Sequence, residues 1–79
     1  MGRTTVGSGA GHGLAKRSVT LAGHRTSVAL EPEFWAAVEA LAAARGQSLA
    51  AFVAEVDAAR PPGQPLASAL RLAALRDRS

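Results

Sequence analysis

The stretch HRTSVALEP, residues 24–32, decides the fold of this chain. Its polar and apolar residues alternate with the period of two that is typical of a β-strand. One side of this strand carries Thr26, Val28 and Leu30, and the other side carries Arg25, Ser27 and Ala29. We therefore predict one short strand over residues 24–30, followed by a helix that begins at Pro32, since proline suits the first helical position.

Three amphipathic helices are predicted after the strand. Apolar residues recur at three- and four-residue spacing from Pro32 onward, and Gly46 stands where a left-handed C-terminal cap is expected. Ser48 is a good N-cap for the second helix, which the prolines after residue 60 end. A third apolar pattern follows them. The predicted helices span residues 32–45, 48–60 and 65–77, so the chain is mostly α with one short β-strand.

The segment before residue 24 allows several interpretations. Residues 1–15 are rich in glycine and are predicted to form a disordered arm, which leaves residues 16–79 as the folded domain. Residues 18–22 alternate weakly, and Ala22 and Gly23 could form a tight turn. The pattern leaves open whether residues 18–22 extend a ribbon, form their own strand or stay loose.

The chain is small for an independent core. It has 79 residues and no cysteine, and below about 70–80 residues one core rarely supplies more than ~3–5 kcal/mol. A hairpin within one chain is expected to leave the aromatic side chains poorly covered, so we predict an intertwined homodimer with an intermolecular antiparallel β-ribbon. The predicted dimer core consists of apolar residues of the strand and the first two helices: Val28, Leu30, Phe34, Trp35, Val38, Leu41, Leu49, Phe52, Val53 and Val56.

Charge is distributed unevenly along the chain. The net charge is +3, and residues 1–30 carry four Lys or Arg residues and no Asp or Glu. A basic, acid-free segment of this kind suits a polyanion such as DNA, although it also suits a solvated tail. No apolar run approaches the ~20 residues of a membrane span, so we expect no membrane association and a cytoplasmic location.

Catalytic and metal-binding patterns are weak. The glycine-rich run over residues 7–13 fails the GxGxxG spacing, because His12 occupies the last glycine position. Glu55 and Asp57 are two residues apart on a predicted helix and point to different faces. The chain has no cysteine thiolate to bind a metal, and its two histidines are too few for a site made of histidine alone. We predict no enzyme activity, no cofactor and no metal.

Two segments together resemble a known family. The first is KRSVTLAGHRTSVALEPEFW, residues 16–35, and the second is RGQSL, residues 45–49, continued by Val53, Glu55, Asp57 and Ala59-Arg60. Together with a trailing helix over 65–77, they resemble the ribbon-helix-helix DNA-binding proteins, and in particular a subfamily of small bacterial members. The resemblance covers about residues 16–77.

The resemblance implies which residues contact DNA. In that fold the dimer's ribbon enters the major groove, which would make Arg25, Ser27 and Ala29 the base-reading residues. The start of the second helix would be a phosphate clamp formed by Gln47, Ser48 and Leu49. Lys16 and Arg17, on a flexible lead-in to the ribbon, and His24, at the start of the ribbon, would add phosphate contacts.

The function expected from this resemblance is sequence-specific binding of double-stranded DNA. The chain would be a bacterial transcription regulator that acts at the nucleoid as a homodimer, with higher-order assembly on DNA as an extension. The alternative is an antitoxin-like or adaptor protein, in which the third helix engages a protein partner. The leucines of that helix favour this alternative, because they form a wider apolar surface than one packing stripe needs.

Overall fold

The computed structural model describes residues 13–77. The predicted disordered arm, residues 1–15, lies almost wholly outside the described residues. Within them the chain forms two strands and then three helices, with the bounds β1 Ala15–Leu21, β2 His24–Leu30, α1 Pro32–Ala44, α2 Leu49–Ala59 and α3 Leu66–Asp77.

The two strands form an antiparallel hairpin within one chain. Its turn is Ala22-Gly23, and both residues have positive φ, 52° and 83°. Positive φ at both central residues is the geometry of a type I′ turn, whose twist matches that of the flanking strands. The prediction of one strand per chain is therefore wrong, because residues 15–21 find a ladder partner in β2.

The helix bounds agree with the sequence prediction to within one residue. Pro32 is the first residue of α1, and Gly46 has a φ of 68° just after its end. The backbone N–H groups of Gly46 and Gln47 donate to the carbonyls of Ala43 and Ala42, which is the Schellman pattern. Ser48 caps α2 by accepting a 3.1 Å hydrogen bond at Oγ from the Ala51 N–H.

The core forms where the inner face of the hairpin packs against the helices. Trp35 and Phe52 are only 1% and 2% exposed. The other members of this core come from both strands and all three helices: Val19, Leu21, Val28, Leu30, Val38, Leu41, Ala42, Val53 and Leu70. The expectation that one chain leaves its aromatic residues uncovered is therefore wrong for Trp35 and Phe52.

The remaining predicted core residues are only partly buried. Phe34, Leu49 and Val56 pack against the edge of the core and keep some exposure. Strand β1 and helix α3 cover the aromatic side chains that were predicted to need a second chain. Most of the residues predicted for the dimer core are thus buried within one chain, and the intertwined dimer itself stays a prediction.

Helix α3 is hydrogen-bonded to the residue that precedes α1. Leu70 is fully buried, and the Arg71 Nε donates a 3.0 Å hydrogen bond to Oε1 of Glu31, the residue before α1. A hydrogen bond from the backbone of Glu31 itself and the bond from Arg71 lower the pKa of the Glu31 carboxyl below its ordinary value. None of the helices within residues 13–77 has the length and apolar character needed to cross a membrane.

Candidate nucleic-acid interface

The hairpin presents one face to solvent, on the side away from the helices. Six residues occupy this outer face in three opposed pairs, Lys16 with Ala29, Ser18 with Ser27, and Thr20 with Arg25. Five of the six residues are exposed and Ala29 is half-buried. The outward positions predicted for Arg25 and Ser27 are confirmed, whereas their role in binding stays a prediction.

No ion pair within the described part of the chain neutralises the positive charge on the outer face. Elsewhere, four arginines form ion pairs, which are Arg17–Glu39, Arg45–Glu55, Arg60–Asp57 and Arg71–Glu31. Lys16 and Arg25 have no ion pair with any residue between 13 and 77, and the outer face holds no acidic side chain. The arrangement leaves two cations and three hydroxyl groups facing outward, which suits an anionic ligand with hydrogen-bonding groups.

Arg17 does not belong to that face. It lies opposite Val28 on the inner face, where its guanidinium stands 4.8 Å from the centroid of the Trp35 ring and pairs with Glu39. Because Arg17 is part of β1, the expectation that it lies on a flexible lead-in is wrong. Its contacts hold β1 against α1 and already satisfy its charge.

Lys16 and His24 occupy opposite ends of the hairpin. Lys16 is on β1, near the end that meets the start of α1, whereas His24 is the first residue of β2 and adjoins the turn. Both side chains are exposed. They can therefore contact a polyanion only at two separate points along the hairpin. Lys16, like Arg17, belongs to a strand and not to a flexible arm.

The start of α2 offers backbone donors. The Ser48 side chain already accepts from Ala51, and within the described chain the backbone N–H groups of Ser48 and Leu49 donate to no backbone carbonyl. These N–H groups and the positive end of the helix dipole can bind an anion. As a cap, Ser48 would be suited to this position without any ligand, so the geometry is compatible with both roles.

The side chain and the backbone of Gln47 both form hydrogen bonds within the chain. Its Nε2 donates a 3.1 Å hydrogen bond to Oε2 of Glu55, and its backbone N–H donates to the carbonyl of Ala42. Its Oε1 is buried without a hydrogen-bond partner. An acceptor oxygen does not attract phosphate, so of the three residues predicted as the clamp, Gln47 is the least suited to contribute.

Three residues of the outer face were not predicted from the sequence to share one surface with Arg25, namely Lys16, Ser18 and Thr20. The sequence pattern places Lys16 on a flexible lead-in and indicates no role for Ser18 and Thr20. The signal was present in the polar–apolar alternation of residues 16–21, which has the same period as β2. The alternation alone does not give the register in which the two strands pair.

A second surface feature lies between α2 and α3. A shallow groove of about 290 Å³ is lined by residues that include Val56, Arg60, Leu72 and Arg76. Leu72 is 37% exposed and Leu75, one turn further along α3, is 49% exposed. Within residues 13–77 no cluster of three or more His, Asp or Glu side chains is suited to hold a metal ion.

Comparison with known proteins identifies the fold family. No curated protein and no solved structure matches the chain. Residues 14–77, which include every strand and helix described above, match the family model of the ribbon-helix-helix domain. The order of hairpin, capped first helix, short Gly-containing turn and second helix agrees with this match, and the chain belongs to the ribbon-helix-helix family.

Proposed function

We propose that the chain is a dimeric, sequence-specific DNA-binding protein and a regulator of transcription in the bacterial cytoplasm. The ribbon-helix-helix family includes DNA-binding transcription regulators and antitoxins, and its members typically bind DNA as dimers. The observation that carries the proposal is the outer face of the hairpin, where Lys16 and Arg25 stand among hydroxyl groups and form no ion pair with any residue from 13 to 77.

The proposed base contacts come from β2. Arg25 has the planar, two-donor guanidinium that pairs with O6 and N7 of guanine, and Ser27 can donate or accept. Ala29 offers a methyl contact, which suits the methyl group of thymine. Enzyme activity is not part of the proposal, because ribbon-helix-helix domains are typically non-enzymatic.

The proposed phosphate contacts surround these base contacts. Lys16 and His24 stand at the two ends of the hairpin, and the N–H groups of Ser48 and Leu49 add a backbone clamp. Arg17 and Gln47 can join them only by exchanging Glu39 and Glu55 for phosphate.

Two copies can form the ribbon in more than one way. The ribbon predicted from the sequence consists of the β2 strands of two chains, paired antiparallel across the two-fold axis. In the structure β2 pairs with β1 of its own chain, so a shared ribbon requires either a four-stranded sheet or the departure of β1.

Selection of bound duplexes from a random pool at physiological salt tests the proposal. We expect an enriched palindromic motif. We expect Arg25→Ala to weaken binding to that motif by ~1–3 kcal/mol and to relax the preference at one position of each half-site. Lys16→Ala should instead weaken all duplexes alike and reduce the salt dependence by about one phosphate contact.

Arg76→Ala is the matched control, because it removes the same charge from α3. Arg76 forms no ion pair within residues 13–77. If Arg25→Ala affects binding no more than Arg76→Ala does, or if no motif is enriched, the assignment of the outer face is wrong.

The groove between α2 and α3 supports a second candidate, an adaptor or antitoxin-like module. The exposed Leu72 and the neighbouring Leu75 give α3 an apolar surface beyond what the core uses. Here we expect a stoichiometric protein partner to co-purify after nuclease treatment. Leu72→Glu should abolish that partner while Arg25→Ala retains it, and retention by both variants would contradict a docking role of α3.

A further inference from the structure

We propose that the groove between α2 and α3 is a docking site for an acidic amphipathic helix of a partner protein, which places an apolar side chain beside Leu72 and a carboxylate beside Arg76. The inference rests on the second candidate function, the adaptor module, and deepens it by naming the chemistry of the partner. It does not depend on DNA binding by the outer face of the hairpin.

The walls of the groove are apolar, and small side chains leave space between them. Val56 and Ala59 come from α2, and Ala69 and Leu72 come from α3. Ala69 is 8% exposed, whereas Leu72 is 37% exposed and is not a member of the core. A groove of about 290 Å³ with an exposed leucine in its wall fits an inserted apolar side chain.

Both charged side chains that line the groove within residues 13–77 are arginines, and they differ in their partners. Nε and Nη2 of Arg60 donate to Oδ1 of Asp57 at 3.1 and 2.8 Å, and Nη1 donates to the Gln64 carbonyl at 2.6 Å. Arg76 forms no ion pair with any residue from 13 to 77. Arg60 is therefore a neutralised part of the wall, and Arg76 is the cation that can bind a carboxylate of a partner.

The spacing of the groove residues on α3 predicts the pattern of the partner. Ala69, Leu72 and Arg76 are three and four residues apart, so they follow one face of the helix. The 12 residues of α3 extend over about 18 Å, which is enough to pack against roughly three turns of a second helix. We therefore expect a partner helix that carries a large apolar residue and, three or four positions away, an Asp or Glu.

Charge and apolar surface together disfavour two other occupants, a second copy of the chain and DNA. A contact between two copies across a two-fold axis places the same patch on both sides. Because the charged lining consists of arginines, that contact would bring like charges together. A DNA duplex offers phosphates to Arg76 but little apolar surface to Leu72, since protein–DNA interfaces are polar. An acidic amphipathic helix satisfies both residues.

The groove shares no residue with the outer face of the hairpin. It is lined by α2, α3 and the loop between them, whereas the outer face lies on the side of the hairpin away from the helices. A partner helix in the groove therefore leaves Lys16 and Arg25 accessible. We expect the chain to bind DNA and the partner helix at the same time.

Selection from a library of helical peptides, displayed on a stable helical scaffold with one randomised face, tests the inference. The bait is the full chain. We expect the enriched peptides to combine Leu, Ile, Met or Phe with an Asp or Glu three or four positions away. Enrichment of no peptide, or of peptides without the acid, would overturn the inference.

Two variants locate the bound peptide. Leu72→Ala should weaken an enriched peptide roughly fivefold to thirtyfold, because it removes apolar surface from the groove wall. Arg76→Glu should weaken it roughly threefold to tenfold, and an Arg in place of the peptide's acid should restore binding to this variant. Both positions are exposed, and circular dichroism checks that the variants fold. Arg25→Ala is the control and should bind the peptide like the wild type.

An enriched peptide that tolerates both Leu72→Ala and Arg76→Glu would overturn the inference. Displacement of the peptide by a DNA duplex at physiological salt would show that the groove binds a polyanion, and would also overturn it. So would self-association in light scattering that Leu72→Ala removes, because a second copy would then occupy the groove.

The results separate this inference from the proposed functions. Enriched peptides that lack the acid but depend on Leu72 would leave the adaptor module standing and overturn only the acidic partner. Failure to enrich a duplex motif would contradict DNA binding by the outer face, while the peptide results would be unaffected.

Discussion

The hydrogen bond between Trp35 and β1 holds the hairpin to the helices, and Trp35→Phe measures its contribution. The indole Nε1 donates to the Ala15 carbonyl at 2.7 Å, while the ring is 1% exposed and lies beneath the Arg17 guanidinium. Phenylalanine keeps an aromatic ring at this position and removes the donor. The carbonyl of Ala15 then loses its side-chain partner.

The expected cost has two main parts. Loss of a typical hydrogen bond costs about 0.5–1.5 kcal/mol. The smaller ring buries roughly 40 Å² less apolar surface, which at ~25 cal/mol per Å² costs about 1 kcal/mol. Together they predict a loss of about 2 kcal/mol in the free energy of unfolding. For a domain of 60–100 residues, 1 kcal/mol shifts Tm by roughly 4–8 °C, so the variant should melt about 8–16 °C lower.

Thermal unfolding followed by circular dichroism measures this shift, and amide hydrogen exchange locates it. The exchange of β1 amides should accelerate more than that of α2 amides, because the lost bond joins β1 to α1. Phe34→Leu is the control, since Phe34 lies one residue earlier on α1, is half-buried and has a side chain that forms no hydrogen bond. A Tm within 2–3 °C of the wild type would refute the reasoning, because the loss of buried ring surface alone should exceed that shift.

Two further predictions concern the turn and the acid response. Ala22→Asn should raise the free energy of unfolding by about 0.5–1 kcal/mol, because asparagine tolerates the left-handed φ of 52° better than alanine does; a lower denaturant midpoint would contradict this. The pKa of Glu31 is below its ordinary value of about 4.5, so its contribution to stability is present above that pH and is lost as the pH falls through the lowered pKa. Arg71→Ala should therefore make stability fall less steeply with acidification below pH 4.5 than in the wild type, and an unchanged slope would show that Arg71 does not lower this pKa.

Local sequence signals were sufficient to predict where the three helices begin and end. Pro32, Gly46 and Ser48 act within one turn of their own positions, through the missing proline N–H, a left-handed backbone and a side-chain cap. Each of these effects depends only on neighbours along the chain. The three helices were consequently predicted to within one residue at each end.

The inner contacts of β1 could not be predicted in the same way. Arg17 pairs with Glu39, 22 residues away, and Ala15 accepts from Trp35, 20 residues away. A charged residue beside a glycine-rich segment has the same local appearance whether it faces solvent or an indole ring. Its assignment depends on register, which the turn at Ala22 and Gly23 determines.

The amino-acid sequence by itself determined the helices, the alternating strand before Pro32 and the family to which the chain is similar, because periodicity, caps and turn residues act over a few positions. Only the tertiary structure decided that β1 and α3 close the core around Trp35 and Phe52 within one chain. It also decided which cations of the outer face form no ion pair between residues 13 and 77. Burial and ion pairing depend on which distant segments meet, and that is a property of the packed chain.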